Sequence, residues 1–301
     1  MKPRFSIANL CCLNLVLILP SFAAGQEIQR PPITGFSHVT FYTTLPDAAK
    51  HFYADLLGLA PTDHSGAYRV GRQRVEILAE NPPNAPSLLA NIGFATDNAE
   101  RLRRYLQSRG VQVPANTEKD KNGTRWFEVK DPEGNRIRFE QIKSKKVQNA
   151  KALSSQIIHV GFLVHDRTTE DKFYREILGF RPYWFGGRSE GHLDWVSLQV
   201  PEGRQWIEYM LTDKDAQITP ERLGVLNHFS LGVPNIKETE KQLQARGWTA
   251  NTRSHTQIGR DGKWQLNVYD PDGTRVEFME FAPTQTPCCS PFTAPHPSAS
   301  N

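Results

Sequence analysis

Apolar and polar residues alternate in four short segments, each followed by an amphipathic helical pattern. Alternation of this kind is typical of a strand with one buried face. The alternating segments are Ile33–Thr40, Ala90–Ala95, Ile157–Val164 and Asn227–Val233. The helical patterns after them end at Gly58, Gly110, Gly179 and Gly247, and a glycine there is a common helix stop. The pattern therefore predicts four units that each begin with a strand and a helix.

The chain also repeats itself. Residues 37–41 and 51–59 return as residues 158–162 and 172–180, at a constant offset of 121. Residues 104–110 return as 241–247, and an Asp-Pro-x-Gly sequence follows each time, at Asp131 and Asp270. This sequence is typical of a type I turn, which joins two strands before Arg136–Glu140 and Arg275–Phe281. We predict an α+β fold of four βαβββ modules, which form two paired half-open barrel domains.

The ends of the chain differ from its repeated part. Lys2 and Arg4 precede an apolar stretch and then small residues, which is the order of a secretory signal peptide. We expect residues 1–25 to be removed, the mature protein to be secreted or periplasmic, and no membrane contact to remain. Removal leaves Cys288 and Cys289 as the cysteines of the mature chain, so no disulfide framework joins the folded modules.

The repeats divide the chain into two predicted domains, residues 31–141 and 157–282, joined by a linker at 142–156. The tail, residues 283–301, is rich in Pro, Thr and Ser and is expected to be disordered, because it has little apolar surface to bury. The net charge of +4 is small for 301 residues. It gives no sign of a nucleic-acid partner, and we expect a small-molecule substrate and a monomer or homodimer.

Residues Ile33 to Phe281, which contain the four predicted modules, resemble the vicinal oxygen chelate superfamily. That superfamily includes glyoxalase I, extradiol dioxygenases, methylmalonyl-CoA epimerase and bleomycin-resistance proteins. Its modules supply one metal ligand from the first strand and one from the last. The resemblance places His159, Glu208, His228 and Glu277 at these ligand positions. A single histidine on a strand is usually a core residue, but four metal-compatible residues at four expected positions favour a metal site.

Two imidazoles and two carboxylates suit one divalent ion, either Zn, Ni, Co, Mn or Fe(II). The first pair of modules holds His38, Glu76, Asn91 and Arg138 at the same positions. An arginine cannot be deprotonated in a protein, so we expect this first site to be degenerate, with Arg138 replacing the metal charge and pairing with Glu76. Glu140, two residues further on the same face, leaves a weak metal site open as an alternative.

Aromatic residues are concentrated in the second half of the chain. Residues 183–188 include Tyr183, Trp184 and Phe185, and they are predicted to form a loop that lines a cavity. We expect Trp184, Arg188, His192 and Asn267 to bind the substrate. Aromatic surface would suit a flat or apolar ligand.

The resemblance leaves three functions open. The first is a glyoxalase- or epimerase-like lyase or isomerase, in which Glu208 or Glu277 moves a proton next to a carbonyl group. The second is an extradiol Fe(II) dioxygenase with His159, His228 and Glu277 as ligands. Asn267 stands where that class has a tyrosine, and Glu208 would crowd its oxygen site. The third is a non-catalytic protein that sequesters a small molecule. Export argues against dependence on glutathione.

Overall fold

The computed structural model describes Met1 and residues 28–79, 87–142 and 149–299. Two eight-stranded sheets, one for each pair of modules, confirm the predicted α+β fold. Apart from Met1, the predicted signal peptide lies outside the described residues. Within the described residues, no helix is both long and apolar enough to cross a membrane.

The first sheet is built from residues 33–141. In chain order its strands are β1 (Ile33–Tyr42), β2 (Ala60–Pro61), β3 (Ala67–Val70), β4 (Gln73–Leu78), β5 (Leu89–Thr96), β6 (Glu118–Lys119), β7 (Arg125–Lys130) and β8 (Arg136–Gln141). Their order across the sheet is β2-β3-β4-β1-β5-β8-β7-β6. The first strands of modules one and two, β1 and β5, are therefore neighbours at its centre, and the last strands, β4 and β8, flank them.

The second sheet repeats this arrangement with residues 157–280. Its strands are β9 (Ile157–Val164), β10 (Arg181–Gly186), β11 (Trp195–Gln199), β12 (Trp206–Leu211), β13 (His228–Val233), β14 (Thr256–Ile258), β15 (Trp264–Tyr269) and β16 (Arg275–Glu280). Their order is β10-β11-β12-β9-β13-β16-β15-β14. The four strands predicted to carry metal ligands, β12, β9, β13 and β16, thus lie side by side.

Five helices accompany the described strands. They are α1 (Pro46–Lys50), α2 (Ala99–Ser108), α3 (Arg167–Asp171), α4 (Pro220–Leu226) and α5 (Ile236–Ala245), and π-helical turns, His51–Leu56 and Lys172–Ile177, continue α1 and α3. The four predicted stop glycines all have φ between 70° and 92°, a conformation that glycine adopts without a Cβ clash. Helix α4, which precedes module four, was not predicted.

Reciprocal contacts join the two sheets. Tyr53, after α1, donates a hydrogen bond to Asp270 in the turn of module four, and Tyr174, after α3, donates one to Asp131 in the turn of module two. The apolar core also crosses between the sheets, since Phe41 packs against Phe229 with ring centroids 5.8 Å apart. Each helix therefore anchors to a turn of the other pair, and both Asp-Pro-x-Gly sequences contribute to the interface.

The tail is ordered as far as residue 299, so the prediction of a disordered tail is wrong for residues 283–299. Phe292 packs on Tyr183 with ring centroids 4.8 Å apart. Ser290 and Thr293 form hydrogen bonds with the backbone of Phe185 and Tyr183. The tail has few apolar residues, but β10 is an edge strand, and its backbone and the rings of Tyr183 and Trp184 bind the tail.

Residues 183–188 were predicted to be a loop, but most of this segment forms β10. Strand β10 pairs with β11 in antiparallel register, with a bulge between Pro182 and Trp184. The aromatic residues that indicated a cavity lining are also residues that favour strands. The segment therefore belongs to the edge of the second sheet.

Candidate metal centre

Two histidines face each other at the centre of the second sheet. His159 lies on β9 and His228 begins β13, and both rings are fully buried. Their Nε2 atoms are 3.0 Å apart, with the rings nearly perpendicular at 85°. The Nδ1 atom of His228 lies 2.9 Å from the carbonyl oxygen of Leu226. A proton on Nδ1 satisfies that carbonyl and leaves the Nε2 lone pair directed at His159.

Two carboxylates complete the cluster. An oxygen of Glu277 lies 3.2 Å from His159 Nε2, and an oxygen of Glu208 lies 3.8 Å from His228 Nε2. Ligand atoms of His159, Glu208 and His228 all lie within 4.8 Å of one another. Glu277 is not one of these three residues, but its carboxylate contacts His159. All four predicted ligand residues are therefore brought together.

Gly161 makes room for one of the two imidazoles. It lies on β9 directly across from His228, and a Cβ atom there would approach the His228 ring to 2.0 Å. Any larger residue at this position would have to displace the ring. The close approach of strand and imidazole therefore depends on this glycine.

The pKa values of the site residues are shifted in different directions. Burial raises the pKa of Glu208, only partly opposed by the charge of His159. Burial acts in the same direction on Glu277, but hydrogen bonding and charge from His159 outweigh it and lower the pKa of Glu277. Burial, with the nearby Arg275 charge, lowers the pKa of His228 well below its usual value. The site thus holds a neutral His228, an ionised Glu277 and a Glu208 that binds protons readily.

Arg275 also reaches this centre, and the sequence did not indicate it. Its Nη2 atom lies 2.7 Å from His228 Nε2, so the guanidinium and a metal ion exclude each other at that atom. Among the described residues no carboxylate forms an ion pair with Arg275, and its buried Nε atom has no hydrogen-bond partner. Its Nη2 atom contacts both ring nitrogens of His228, at 2.7 and 2.8 Å, so the guanidinium must move away before an ion can bind Nε2.

The donor atoms fit a divalent ion. Two ligands about 2.1 Å from one ion lie about 3.0 Å apart at a right angle and about 3.4 Å apart at a tetrahedral angle. The observed separations of 3.0, 3.2 and 3.8 Å fall close to these values. Nitrogen and carboxylate donors suit zinc and the other first-row ions predicted above. Two strands supply one imidazole each, and two supply one carboxylate each.

A cavity of about 440 Å³ opens onto the centre, lined by Glu208, Glu277 and aromatic, amide and arginine side chains. Of the predicted substrate-binding residues, Trp184, Arg188 and Asn267 line it, and His192 does not. The Oδ1 atom of Asn267 is buried without a hydrogen-bond partner in the described part of the chain. His192 lies instead in a second cavity, which shares Arg260 with the first.

A lysine and a tryptophan lie behind the centre, and the sequence indicated neither. Trp206 packs on His159 with ring centroids 4.9 Å apart. On the other side of Trp206, the fully buried Lys263 places its Nζ atom 4.3 Å from the indole. Burial lowers the pKa of Lys263 to about 8, against the opposing charges of Asp261, Glu277 and Glu208. The tail residue Phe292 covers this ammonium group at 5.0 Å.

The equivalent site in the first sheet is filled by internal ion pairs. The predicted pairing of Arg138 with Glu76 is wrong, because Arg74 pairs with Glu76 at 2.9 Å and with Glu140 at 3.2 Å. The Arg74 guanidinium, on β4, thus joins the two carboxylates, while Arg138 pairs with Glu128 instead. Glu140 is occupied by Arg74, which argues against the alternative of a weak metal site there.

The other residues of the first site are also satisfied within the chain. His38 Nε2 lies 3.0 Å from the Asn91 side-chain oxygen, and Asn91 donates to Glu128. Arg138 lies over the Trp126 ring at 4.1 Å and 3.5 Å from Glu128. The predicted residues His38, Glu76 and Asn91 therefore do surround one site, but each is bound to a neighbouring side chain.

Both halves of the chain match one protein family. The model of the Glyoxalase/Bleomycin resistance protein/Dioxygenase superfamily matches residues 35–139 and 156–278. A lactoylglutathione lyase from Haemophilus influenzae is 28% identical over 131 residues, which is 44% of this chain and 96% of that protein.

Two solved structures show the same fold. Homoprotocatechuate 2,3-dioxygenase from Brevibacterium fuscum, an E323L mutant, has a TM-score of 0.63 at 19% identity, over 89% of this chain and 75% of its own. The Mn(II)-bound glyoxalase from Novosphingobium aromaticivorans has a TM-score of 0.62 at 17% identity, over 83% of each chain.

Proposed function

The chain belongs to the Glyoxalase/Bleomycin resistance protein/Dioxygenase superfamily, and from that membership we propose a metal-dependent lyase or isomerase. Its substrate is a small molecule with two neighbouring oxygens, one of them a carbonyl oxygen. The observation that carries the proposal is the second carboxylate, Glu208, which shares the histidine cluster with Glu277. A divalent ion held by His159, Glu208, His228 and Glu277 would polarise the two oxygens.

The two glutamates have different environments and therefore different roles. Glu277 is held ionised by His159, so it is suited to remain a ligand. Burial raises the pKa of Glu208, and a general base is most effective when its pKa lies near the working pH. We assign Glu208 as the group that accepts and returns a proton at the carbon beside the carbonyl.

The cavity supports a substrate with both polar and apolar parts. Asn267 offers an unpaired amide oxygen next to Glu277, its neighbour across β15 and β16. Trp184 and Trp195 form an aromatic wall with ring centroids 6.4 Å apart. Such walls exclude water and leave orientation to a few polar groups. Asn267 is suited to accept a hydrogen bond from a substrate hydroxyl group.

Export and assembly complete the proposal. The apolar segment near the N-terminus supports a secreted or periplasmic enzyme. Reduced glutathione is scarce in those compartments, so the reaction would not require it. The protein would work as a monomer or homodimer and bind no nucleic acid. One chain supplies all four ligand positions, so the site needs no second copy.

The test is an activity comparison on the purified chain after loading with Mn²⁺, Ni²⁺, Zn²⁺ or Fe²⁺. We expect α-oxo aldehydes to disappear without oxygen uptake, and Glu208→Gln to lower the rate at least 100-fold, within the range of general-base catalysis. Metal content measured in the same variant separates loss of the base from loss of the ion. Coloured ring-cleavage product from catechols with Fe²⁺ and oxygen would instead establish a dioxygenase.

A further inference from the structure

We propose that the substrate cavity has an outer chamber at its mouth, which binds the apolar body of an elongated substrate. The metal centre would hold the chelating end of the same molecule. This inference rests on the proposed function, because it assigns the part of the substrate that extends beyond the inner cavity.

The outer chamber is a separate cavity of about 540 Å³. Its apolar lining is Phe185, Leu193 and the Cys288–Cys289 disulfide, and its polar lining includes Glu190 and His192. Arg260 lines both this chamber and the inner cavity. The two cavities are therefore neighbours on either side of one side chain, and the proposal requires an elongated ligand to pass Arg260.

Exposed apolar side chains are concentrated in this chamber. Phe185 is 49% exposed and Leu193 is 40% exposed, and the other large exposed hydrophobic residues of the described chain are Met1 and Leu45. Single exposed hydrophobic residues are ordinary, but a cluster in a concave site marks a binding surface. Here the cluster opens beside a candidate catalytic centre, which favours a substrate group as its occupant.

The tail gives the chamber a preformed wall. Ser290 hydrogen-bonds both the backbone nitrogen and the backbone oxygen of Phe185, at 2.9 and 3.0 Å. Cys288 donates to the Arg260 carbonyl at 2.8 Å and accepts from the Trp184 indole at 3.2 Å. The same segment thus fixes a residue of the outer chamber and two residues of the inner cavity. A preformed wall lowers the ordering cost of binding.

The first sheet shows that this chamber is not a general property of the fold. The equivalents of β10 and β11 there are β2 and β3, and β2 has only two residues. The long β10 and the tail segment that packs on it belong to the pair of modules that carries the candidate metal ligands.

Hydroxamic acids test the proposal, because they bind divalent ions through two neighbouring oxygens and do not depend on turnover. The full chain is loaded with Zn²⁺ and titrated calorimetrically with acetohydroxamic acid and octanohydroxamic acid. We expect the longer acid to bind at least tenfold tighter, since its added methylene groups would be buried. Equal affinity of the two acids would overturn the outer chamber.

Variants locate the effect. Phe185→Ala and Leu193→Ala should each reduce the affinity ratio of the long to the short acid by about threefold to tenfold. Leu45→Ala is the matched control, because Leu45 is equally exposed at 49% but lies far along the chain, before α1. The same ratio in all three variants and the unmodified protein would contradict the assignment.

The two probes also separate this proposal from the proposed function. Tight binding of octanohydroxamic acid without binding of acetohydroxamic acid, in protein with or without Zn²⁺, would support the chamber and contradict the chelating centre. Binding of acetohydroxamic acid alone would support the centre and overturn the chamber. Absence of binding by both acids would overturn both proposals.

Discussion

The same four strand positions occur twice in this chain and hold two different sets of residues. In the second sheet they carry His159, Glu208, His228 and Glu277, and in the first they carry His38, Glu76, Asn91 and Arg138. Both sets are assembled by the same order of strands. The difference therefore lies in the side chains and shows what this fold requires for a metal site beyond its backbone.

One neighbouring position explains much of the contrast. Arg74 lies across from His38 on adjacent strands, and Trp206 lies across from His159 in the equivalent place. Arg74 extends into the first site and pairs with Glu76 and Glu140. Trp206 packs on His159 and keeps Lys263 behind the indole. A cation paired with two carboxylates thus fills the first site. In the second site, Arg275 contacts His228 and forms no ion pair among the described residues.

Exchanging this position should have the largest effect. Trp206→Arg introduces the arginine of the first site into the second, where Glu208 and Glu277 would pair with it. We expect metal affinity to fall more than 100-fold, because a paired guanidinium occupies both carboxylates. Calorimetric metal titration measures the change. Trp206→Phe is the control that keeps an aromatic ring, and an equal loss in that variant would show that packing, not charge, is responsible.

The glycines that accommodate the histidine rings offer a matched pair of variants. Gly161→Ala places a methyl group against the His228 ring, and Gly93→Ala does the same to the His38 ring. We expect Gly161→Ala to weaken metal binding by about 10- to 100-fold through displacement of a ligand. Gly93→Ala should lower the melting temperature but leave metal affinity unchanged. Similar metal affinities in the two variants would contradict the assignment of the second site.

The pH dependence of metal binding should follow Glu208. Burial raises its pKa, so protons compete with the ion at a pH where an ordinary glutamate is already ionised. We expect metal affinity to fall as the pH is lowered, by up to tenfold per pH unit for each proton displaced. His228 contributes little to this fall above its own strongly lowered pKa. Metal titrations between pH 5 and 8 test this, and Glu208→Gln should flatten the profile.

Replacement of Lys263 should have the smallest effect on metal binding and instead change stability. Its pKa falls from 10.5 to about 8 on burial, which corresponds to a cost of about 3 kcal/mol at neutral pH. Because the folded pKa is the lower one, the cost is complete below pH 8 and is relieved as the pH rises toward 10.5. Lys263→Met should raise the free energy of unfolding at pH 7 by about 1–3 kcal/mol, after loss of the cation–π contacts.

Chemical unfolding at several pH values measures this effect. The unmodified protein should gain stability between pH 8 and 10 relative to Lys263→Met, and the two should converge there. A large loss of stability in Lys263→Met at pH 7 would show that the aromatic rings of Trp206 and Phe292 need the ammonium group between them.

Local sequence predicted the first strand of each module and the stop glycines, because each depends on spacing within one module. The four candidate ligand positions came from the resemblance to the superfamily. The arginine that fills the first site could not be assigned in this way. Arg74 and Arg138 are both cations on the last strands of their modules, and only the side-chain conformations show that Arg74 pairs with Glu140 and Arg138 with Glu128. The internal repeat contained a signal, since Arg74 replaces the tryptophan found at the equivalent place.

The tail and Lys263 were missed for a related reason. Neither the composition of residues 283–299 nor that of Asp261-Gly262-Lys263 indicates burial, and the corresponding Asn122-Gly123-Thr124 forms an ordinary turn in module two. Burial arises only when the tail packs on β10 and closes over the lysine. Contacts between segments far apart in sequence leave no periodic pattern to detect.

We propose that the second pair of modules holds one metal ion and that the first pair holds none. Metal content of the purified full chain, loaded with Zn²⁺ and then freed of excess ion, tests it directly by mass spectrometry of the element. We expect one ion per chain, no ion in His228→Ala, and one ion in His38→Ala. Two ions per chain, or loss of the ion in His38→Ala with retention in His228→Ala, would contradict it.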